Sequence, residues 1–572
     1  MTKVFKYVLW TTLWFCPLVA HAQSTTIEDT DFPRYYRSPL EIPINLSGNF
    51  GEFRSNHFHA GYDMRIGGVV GAKLFAIAEG FVSRISVSPG GYGNGIYIEH
   101  PNGTTSVYGH LLDFASHIQE YVKEQQYERQ SFSVDLSLSP EQFPVKKGDF
   151  IGRAGNSGAS NGPHLHLEIR NTENQSLLYL SGYGLYPVPD RTPPQLTRLQ
   201  FWGYSQQGAV PRTSLLRAVD LSARPSVIPV TDTFYVAMGA FDRIEGSPAY
   251  LSLAQYDVYI DDNKVYTYKK DNLPSSMGRY LNSYLQYDQR VNHDRTLLKT
   301  WLEPGNMLTN LVSTSQNGLF TLADTLEHRL KIVLTDDSGN ESVYRYQVAR
   351  KSVMPDYPVK GRVMLWAMDN YHEEDGLQLY LPFGALGKNI DFDVARVAVP
   401  DSLQSRFFAP LWRIGSPLEP LLRPMRLSIC AQVPEEFKEK ALIVSVSSGG
   451  RISSAGGKWN NDYLEANTFN FGSYTVAIDT IPPVITPRFQ DGADLRKASQ
   501  LSFTIHDDLS GINSYEGTID GSWALFVYDA KNRRLSYTFD RKRITSGKRH
   551  TLELKVTDHC NNVSIYKTDF LW

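Results

Sequence analysis

The sequence predicts a mainly β protein: an antiparallel β-sheet domain near the N-terminus, followed by about three β-sandwich domains. Three observations lead there. Short β-type runs alternate with glycine turns between residues 48 and 171, aromatic residues reach 12% with 33 Tyr and 28 Phe, and 43 Gly and 31 Pro punctuate the chain. Aromatic and β-branched side chains suit a pleated, half-buried surface. At 572 residues the chain exceeds what a single core supports, so three to five domains are expected.

The elements follow in order. Lys3 and Lys6 precede an apolar run over 7–19, then Ala20, His21 and Ala22. This is the layout of a secretory signal peptide cleaved after Ala22, and the run is short for a bilayer span, which takes ~20 apolar residues. The expected location is therefore the periplasm or cell envelope. Trp14 and Phe15 are too bulky for lipoprotein processing at Cys16. Only Cys430 and Cys560 remain after cleavage, which excludes a disulfide framework and cysteine-based metal binding. With 20% charged residues and a net charge of −3, nothing indicates a nucleic-acid partner.

Residues 23–189 form the first domain. Its runs KLFAIAEGFVSRISVS (73–88), GIYIEH (95–100), TTSVYGHL (104–111), GDFIGRAG (148–155) and HLHLEIR (164–170) read as strands joined by tight turns. About 113–145 breaks the rhythm with a helical, charge-rich stretch and then a Ser/Leu-rich one, an expected surface insertion. Downstream, Asp190-Arg-Thr-Pro-Pro is echoed by Asp479-Thr-Ile-Pro-Pro. The Asp-rich turn after Phe241 is echoed by the one after His506, and LKIVLTDDSGNES (330–342) by LELKVTDHCNNVS (552–564). Two copies of one β-sandwich, resembling immunoglobulin-like modules, account for this, at 190–351 and 479–572. Between them, 352–478 is a β-rich domain without a chemical motif.

Of 14 histidines, seven lie between His57 and His166. His59 and Asp63 are four apart around Gly61, which allows a turn that brings both to one cation. His164 and His166 project from one face of a strand while Leu165 and Leu167 take the other. His110 ends the β-run VYGH. Three ligands of the imidazole and carboxylate kind with one open position make a catalytic zinc site, and the remaining histidines are suited to proton transfer and oxyanion donation. The residue pattern leaves open which of His164 and His166 binds the metal.

HAGYD (59–63), AIAEGFVSRI (76–85), GGYGNGIYIEHPNG (90–103), YGHL (108–111), VKKGDFIGRAGNSG (145–158) and GPHLHLEI (162–169) together resemble the lysostaphin-like (LytM-type) zinc metalloendopeptidases, which cut peptidoglycan cross-links. The resemblance covers about residues 50–170. It implies one zinc ion held by His59, Asp63 and His166, catalytic histidines His110 and His164, and a metal-activated water attacking the scissile amide. It also implies a substrate groove bordered by the glycine loop with Tyr92 and Asn94. His57 is expected to line the cleft or stand exposed, His100 to sit at a hairpin edge, and Glu168 and Glu99 to have no site role. Peptidoglycan peptides are the expected substrate, with an envelope partner for the C-terminal β domains. A non-hydrolytic regulator of wall enzymes and a zinc peptidase for proteins are the alternatives.

Overall fold

The computed structural model describes residues 35–179, 190–223, 227–355, 358–399 and 401–572. The expected export signal and Cys16 lie outside the described residues. The described residues are mainly β, in sheets that are antiparallel except where Ile228–Val230 runs parallel to Glu341–Arg350.

In the N-terminal domain the strands are β1 (Leu46–Gly48), β2 (Tyr62–Arg65), β3 (Lys73–Phe75), β4 (Gly80–Val87), β5 (Asn94–Glu99), β6 (Thr104–Gly109), β7 (Leu111–Phe114), β8 (Val134–Ser137), β9 (Pro144–Val145), β10 (Phe150–Ala154) and β11 (His164–Asn171). The main sheet runs β1-β2-β11-β6-β5-β4-β8, with β9 also on β4, and a small sheet runs β3-β10-β7. β11 shows why the site sits where it does. Leu165, Leu167 and Ile169 are fully buried in the core, each worth about 1.5–3 kcal/mol. Alternation then sends His164, His166 and Glu168 to the opposite face.

The stretch expected as a surface insertion is partly integral to the sheet. Helix α1 (Ser116–Glu128) buries Ile118, Val122 and Gln126, one face at four-residue spacing. Beyond it β8 and β9 pair with β4. The Ser/Leu-rich sequence is an alternating edge strand with Val134 and Leu136 buried.

The chain bends at Gly61 without entering the left-handed region. A Cβ there would stand 2.1 Å from the Leu167 carbonyl oxygen, so glycine is required because the backbone of β11 crosses at contact distance. His100 stands at the head of the hairpin turn between β5 and β6, and its side chain is buried, at 5% exposure. Its Nδ1–H donates to the Glu79 carbonyl at 2.7 Å, and the Ser106 hydroxyl donates to Nε2 at 2.8 Å.

Downstream, a five-stranded and a six-stranded sheet form the first sandwich, and two four-stranded sheets form the last. Between them lie two five-stranded sheets and a two-stranded one. The N-terminal domain and the first sandwich share one continuous core, in which Phe53 meets Tyr268 at 5.7 Å and Phe58 meets Tyr284 at 6.2 Å. The middle and last units have cores of their own. Cys430 and Cys560 are free thiols. The last sandwich returns to α1, where Lys123 pairs with Asp540 and the Arg543 guanidinium lies 3.9 Å from the centre of the Tyr127 ring.

Gly61→Ala should destabilise the protein by about 1–3 kcal/mol through overpacking against backbone, read as a shift in the urea midpoint. Burial pushes His100 down to about 4, below its ordinary value near ~6.5. The unfolded chain therefore binds the extra proton, and stability is lost as pH falls from ~6.5 towards the folded value, by up to about 3 kcal/mol. A His100→Gln variant should show a flatter stability profile across that window, and an unchanged profile would contradict this account.

Candidate metal centre

Antiparallel pairing places Asp63 on β2 directly opposite His166 on β11, and Gly109 of β6 opposite His166 on the other side. A Cβ at Gly109 would meet the Tyr92 ring at 3.0 Å and the His166 Cβ at 3.4 Å, so that position keeps room for the imidazole. His59 enters from the segment before β2. Three donor atoms then form a small triangle. His59 Nε2 lies 3.0 Å from Asp63 Oδ1 and 3.1 Å from His166 Nδ1, and His166 Nδ1 lies 2.9 Å from Asp63 Oδ1. All three residues are buried.

Each inward-facing nitrogen is fixed by what its ring does on the other side. His59 Nδ1–H donates to the Asn49 carbonyl at 2.9 Å, and His166 Nε2–H donates to Glu168 Oε1 at 2.8 Å. Glu168 is fully buried, bonded by Arg170 Nε at 2.8 Å and by the Tyr92 hydroxyl. Burial would raise its carboxyl, yet His166 and Arg170 hold it at about 2. Arg54 donates to Asp63 Oδ2 at 2.9 Å, which leaves Oδ1 turned towards the imidazoles. Burial works against charge on Asp63, but His59 and the hydrogen bonds from His164 and His166 hold it well below the usual carboxylate range. Burial also opposes charge on His166, yet Asp63 and Glu168 push it up to about 9. Two imidazole nitrogens and a carboxylate oxygen converging in one buried place suit a divalent metal.

His164 and His110 lie beside the triangle, with ring centres 4.8 Å apart. His164 Nε2 comes within 3.3 Å of Asp63 Oδ1, while its Nδ1–H donates to the Gly162 carbonyl at 2.8 Å. His110 has φ 63°, a left-handed turn that ends β6 and swings its side chain back over the sheet. Its Nδ1–H donates to the Ser157 carbonyl at 2.9 Å. Burial, with His166 and His164 nearby, pushes His110 down to about 4, so it is neutral at pH 7 with Nε2 free to accept a proton. Both imidazoles are thus tethered through Nδ1.

A cleft of about 890 Å³ opens over these groups, lined by His57, Arg54, Tyr92, His110, His164 and their neighbours between residues 47 and 168. His57 lines the cleft. His117 packs on Phe143 at 5.7 Å, within the region of α1. The polar groups of Tyr92 and Asn94, the two residues expected at the groove border, make internal hydrogen bonds. The Tyr92 ring lines the cleft, but its hydroxyl is committed to Glu168, and burial beside that carboxylate pushes the phenol well above its ordinary value. Asn94 has its side-chain amide bonded to the carbonyls of Leu111 and Leu112, at 3.1 and 3.2 Å, and so pins the turn after His110. Glu168, set aside at the sequence level, orients a member of the triangle. Asn49 and Arg54 carry no local signal, because their roles arise only from contacts across the fold.

A buried triangle of two imidazoles and a carboxylate, with two tethered histidines beside an open cleft, is the make-up of a metal-dependent hydrolase site. Residues 57–127 match Peptidase family M23, so the N-terminal domain is of that peptidase type, and residues 361–479 match the Zu5-like domain. The DD-carboxypeptidase/endopeptidase Mpg of Neisseria meningitidis serogroup B is 30% identical over 162 residues, which is 28% of this chain and 28% of that protein. A protein of Haemophilus influenzae described as an uncharacterized metalloprotease is 29% identical over 141 residues, 24% of each chain. The chain thus spans less than a third of the length of these curated relatives. Among solved structures, the catalytic domain of the prophage-encoded M23 protein EnpA from Enterococcus faecalis is similar at 22% identity and a TM-score of 0.18. That match covers 24% of this chain and 87% of the catalytic-domain chain.

Glu168→Gln should weaken binding of a divalent metal at the triangle about 10–100-fold, because the amide orients His166 poorly. Competition against a chromophoric chelator measures this. Unchanged affinity would show that Glu168 serves packing alone.

Proposed function

We propose that this chain is an exported zinc-dependent metalloendopeptidase that hydrolyses peptide cross-links of bacterial peptidoglycan. The observation that carries the reading is the donor triangle of His59, Asp63 and His166, whose outer nitrogens are already occupied and whose inner atoms lie within 3.1 Å of one another. When bound there, zinc supplies Lewis acidity and lowers the pKa of a water to near ~7.

The chain's own residues do the rest. His164 and His110 are each held through Nδ1, and His164 Nε2 lies 3.3 Å from Asp63 Oδ1. One takes up a proton at Nε2 from the attacking water and returns it to the leaving amine, while the other steadies the oxyanion as an imidazolium, since its Nδ1 proton is committed to a backbone carbonyl. Arg54 keeps Asp63 turned with Oδ1 inward. The cleft is bordered by His57 on one side and the 160–163 segment on another. The wall substrate is supported by the name of the Neisseria relative, a DD-carboxypeptidase/endopeptidase. Export rests on the order of charge and hydropathy over residues 1–22. The downstream β domains offer surfaces for the wall or for an envelope protein.

The test is digestion of purified cross-linked peptidoglycan by the protein lacking residues 1–22. Wild type should release uncross-linked muropeptides, a chelated sample should not, and His164→Ala should be slower by about 10²–10⁴-fold while retaining its zinc. A folded, zinc-loaded wild type that releases no products would overturn the proposal in favour of a regulator. Cleavage of a protein such as elastin without muropeptide release would move the substrate to proteins.

A further inference from the structure

The two repeated sandwiches each gather three carboxylates at equivalent places. In the first, Asp190, Asp242 and Asp336 each bring a ligand oxygen within 4.8 Å of the others, and in the last Asp479, Asp507 and Asp558 do the same. The surrounding bonds match. Asp336 Oδ1 accepts from the Ser338 and Asn340 amides, as Asp558 Oδ1 does from those of Cys560 and Asn562. Asn340 and Asn562 donate to the carbonyls of Asp190 and Asp479.

The two clusters differ in how they are satisfied. In the last sandwich, Asp479 Oδ2 accepts from the Ser510 amide and Asp507 Oδ1 from those of Leu509 and Gly511. In the first, Asp242 is 4% exposed, yet its Oδ1 has no hydrogen-bond partner, and neither has Asp190 Oδ2. Leaving a buried carboxylate oxygen without a donor is costly, and such orphans call for a missing partner. Lys270 is the nearby cation, but its ammonium bonds Asp337, at 3.0 Å.

We propose that Asp190, Asp242 and Asp336 bind a divalent cation of the calcium class. The donor set is oxygen only and anionic, with no imidazole or thiolate, which suits a hard cation rather than zinc.

The site would also brace the peptidase domain. Asp242 pairs with Leu251 through two backbone hydrogen bonds, and the next residue, Ser252, donates to Asn49 Oδ1 at 3.0 Å. Asp337, adjacent to Asp336, accepts from Asn49 Nδ2 at 2.8 Å. Asn49 is the residue whose carbonyl holds His59.

The test is calorimetric titration of the zinc-loaded full chain with calcium chloride, after other divalent ions have been stripped. Wild type should bind calcium with Kd of about 10⁻⁴–10⁻³ M and gain about 5 °C in Tm at saturation. Asp242→Asn, which keeps the shape and removes the charge, should lose one bound ion relative to wild type or weaken that ion at least about tenfold. Asp507→Asn should leave that ion in place. If Asp242→Asn does not fold, Asp190→Asn carries the same expectation. Absence of calcium binding by folded wild type, or wild-type stoichiometry and affinity in the folded variant, would overturn the proposal.

Discussion

The metal centre depends on one cross-strand pairing, Asp63 of β2 against His166 of β11. Side chains alternate along a strand, so a one-residue slip would turn His166 into the core and Leu165 or Leu167 onto the site face. The register is therefore fixed by the same burial that stabilises the domain, since Leu165, Leu167 and Ile169 have nowhere else to go. Core packing and donor geometry are two faces of one strand.

Around that pairing lies a second set of contacts that decides which atoms face inward. Glu168 stays charged in a fully buried place because His166, Arg170 and Tyr92 all donate to it. Its opposite number is a backbone carbonyl, that of Asn49, which reaches His59. Asn49 is itself held by Ser252 and Asp337 from the first sandwich. With Phe53 and Phe58 packed on Tyr268 and Tyr284, the peptidase domain and first sandwich form one energetic unit. A sandwich that looks like an appendage in sequence is thus part of what orients a metal ligand.

This explains what was legible in the sequence and what was not. Period-two alternation around His164 and His166 and the repeated Asp-x-x-Pro-Pro segments are local signals, so the β class, the histidine face and the repeat could be read directly. Gly61 was legible as a bend, but not as room for a crossing backbone, because only tertiary structure brings Leu167 beside it. Strand β8 was hidden because serine dilutes its alternation. Asn49, Arg54 and Glu168 escaped for a common reason: their work is done on partners chosen by the fold. Tyr92 and Asn94 lay close to the site in sequence, yet their polar groups are turned to internal bonds.

The placement of the last sandwich bears on how the cleft is used. Lys531 donates to the Ser160 carbonyl at 2.9 Å and also bonds Asn156, so it grips the loop that leads into His164. The pair Lys123–Asp540 and the Arg543–Tyr127 stacking tie the same sandwich to α1. Yet the described residues that line the cleft all fall between residues 47 and 168. The distal domain therefore braces one wall of the cleft without filling it. A surface lysine is a weak anchor by itself, but three contacts spread over a loop and a helix restrict that wall together, because each costs less entropy once another is made. In this arrangement the last sandwich braces one wall of the groove, and His59, Asp63, His110, His164 and His166 line it.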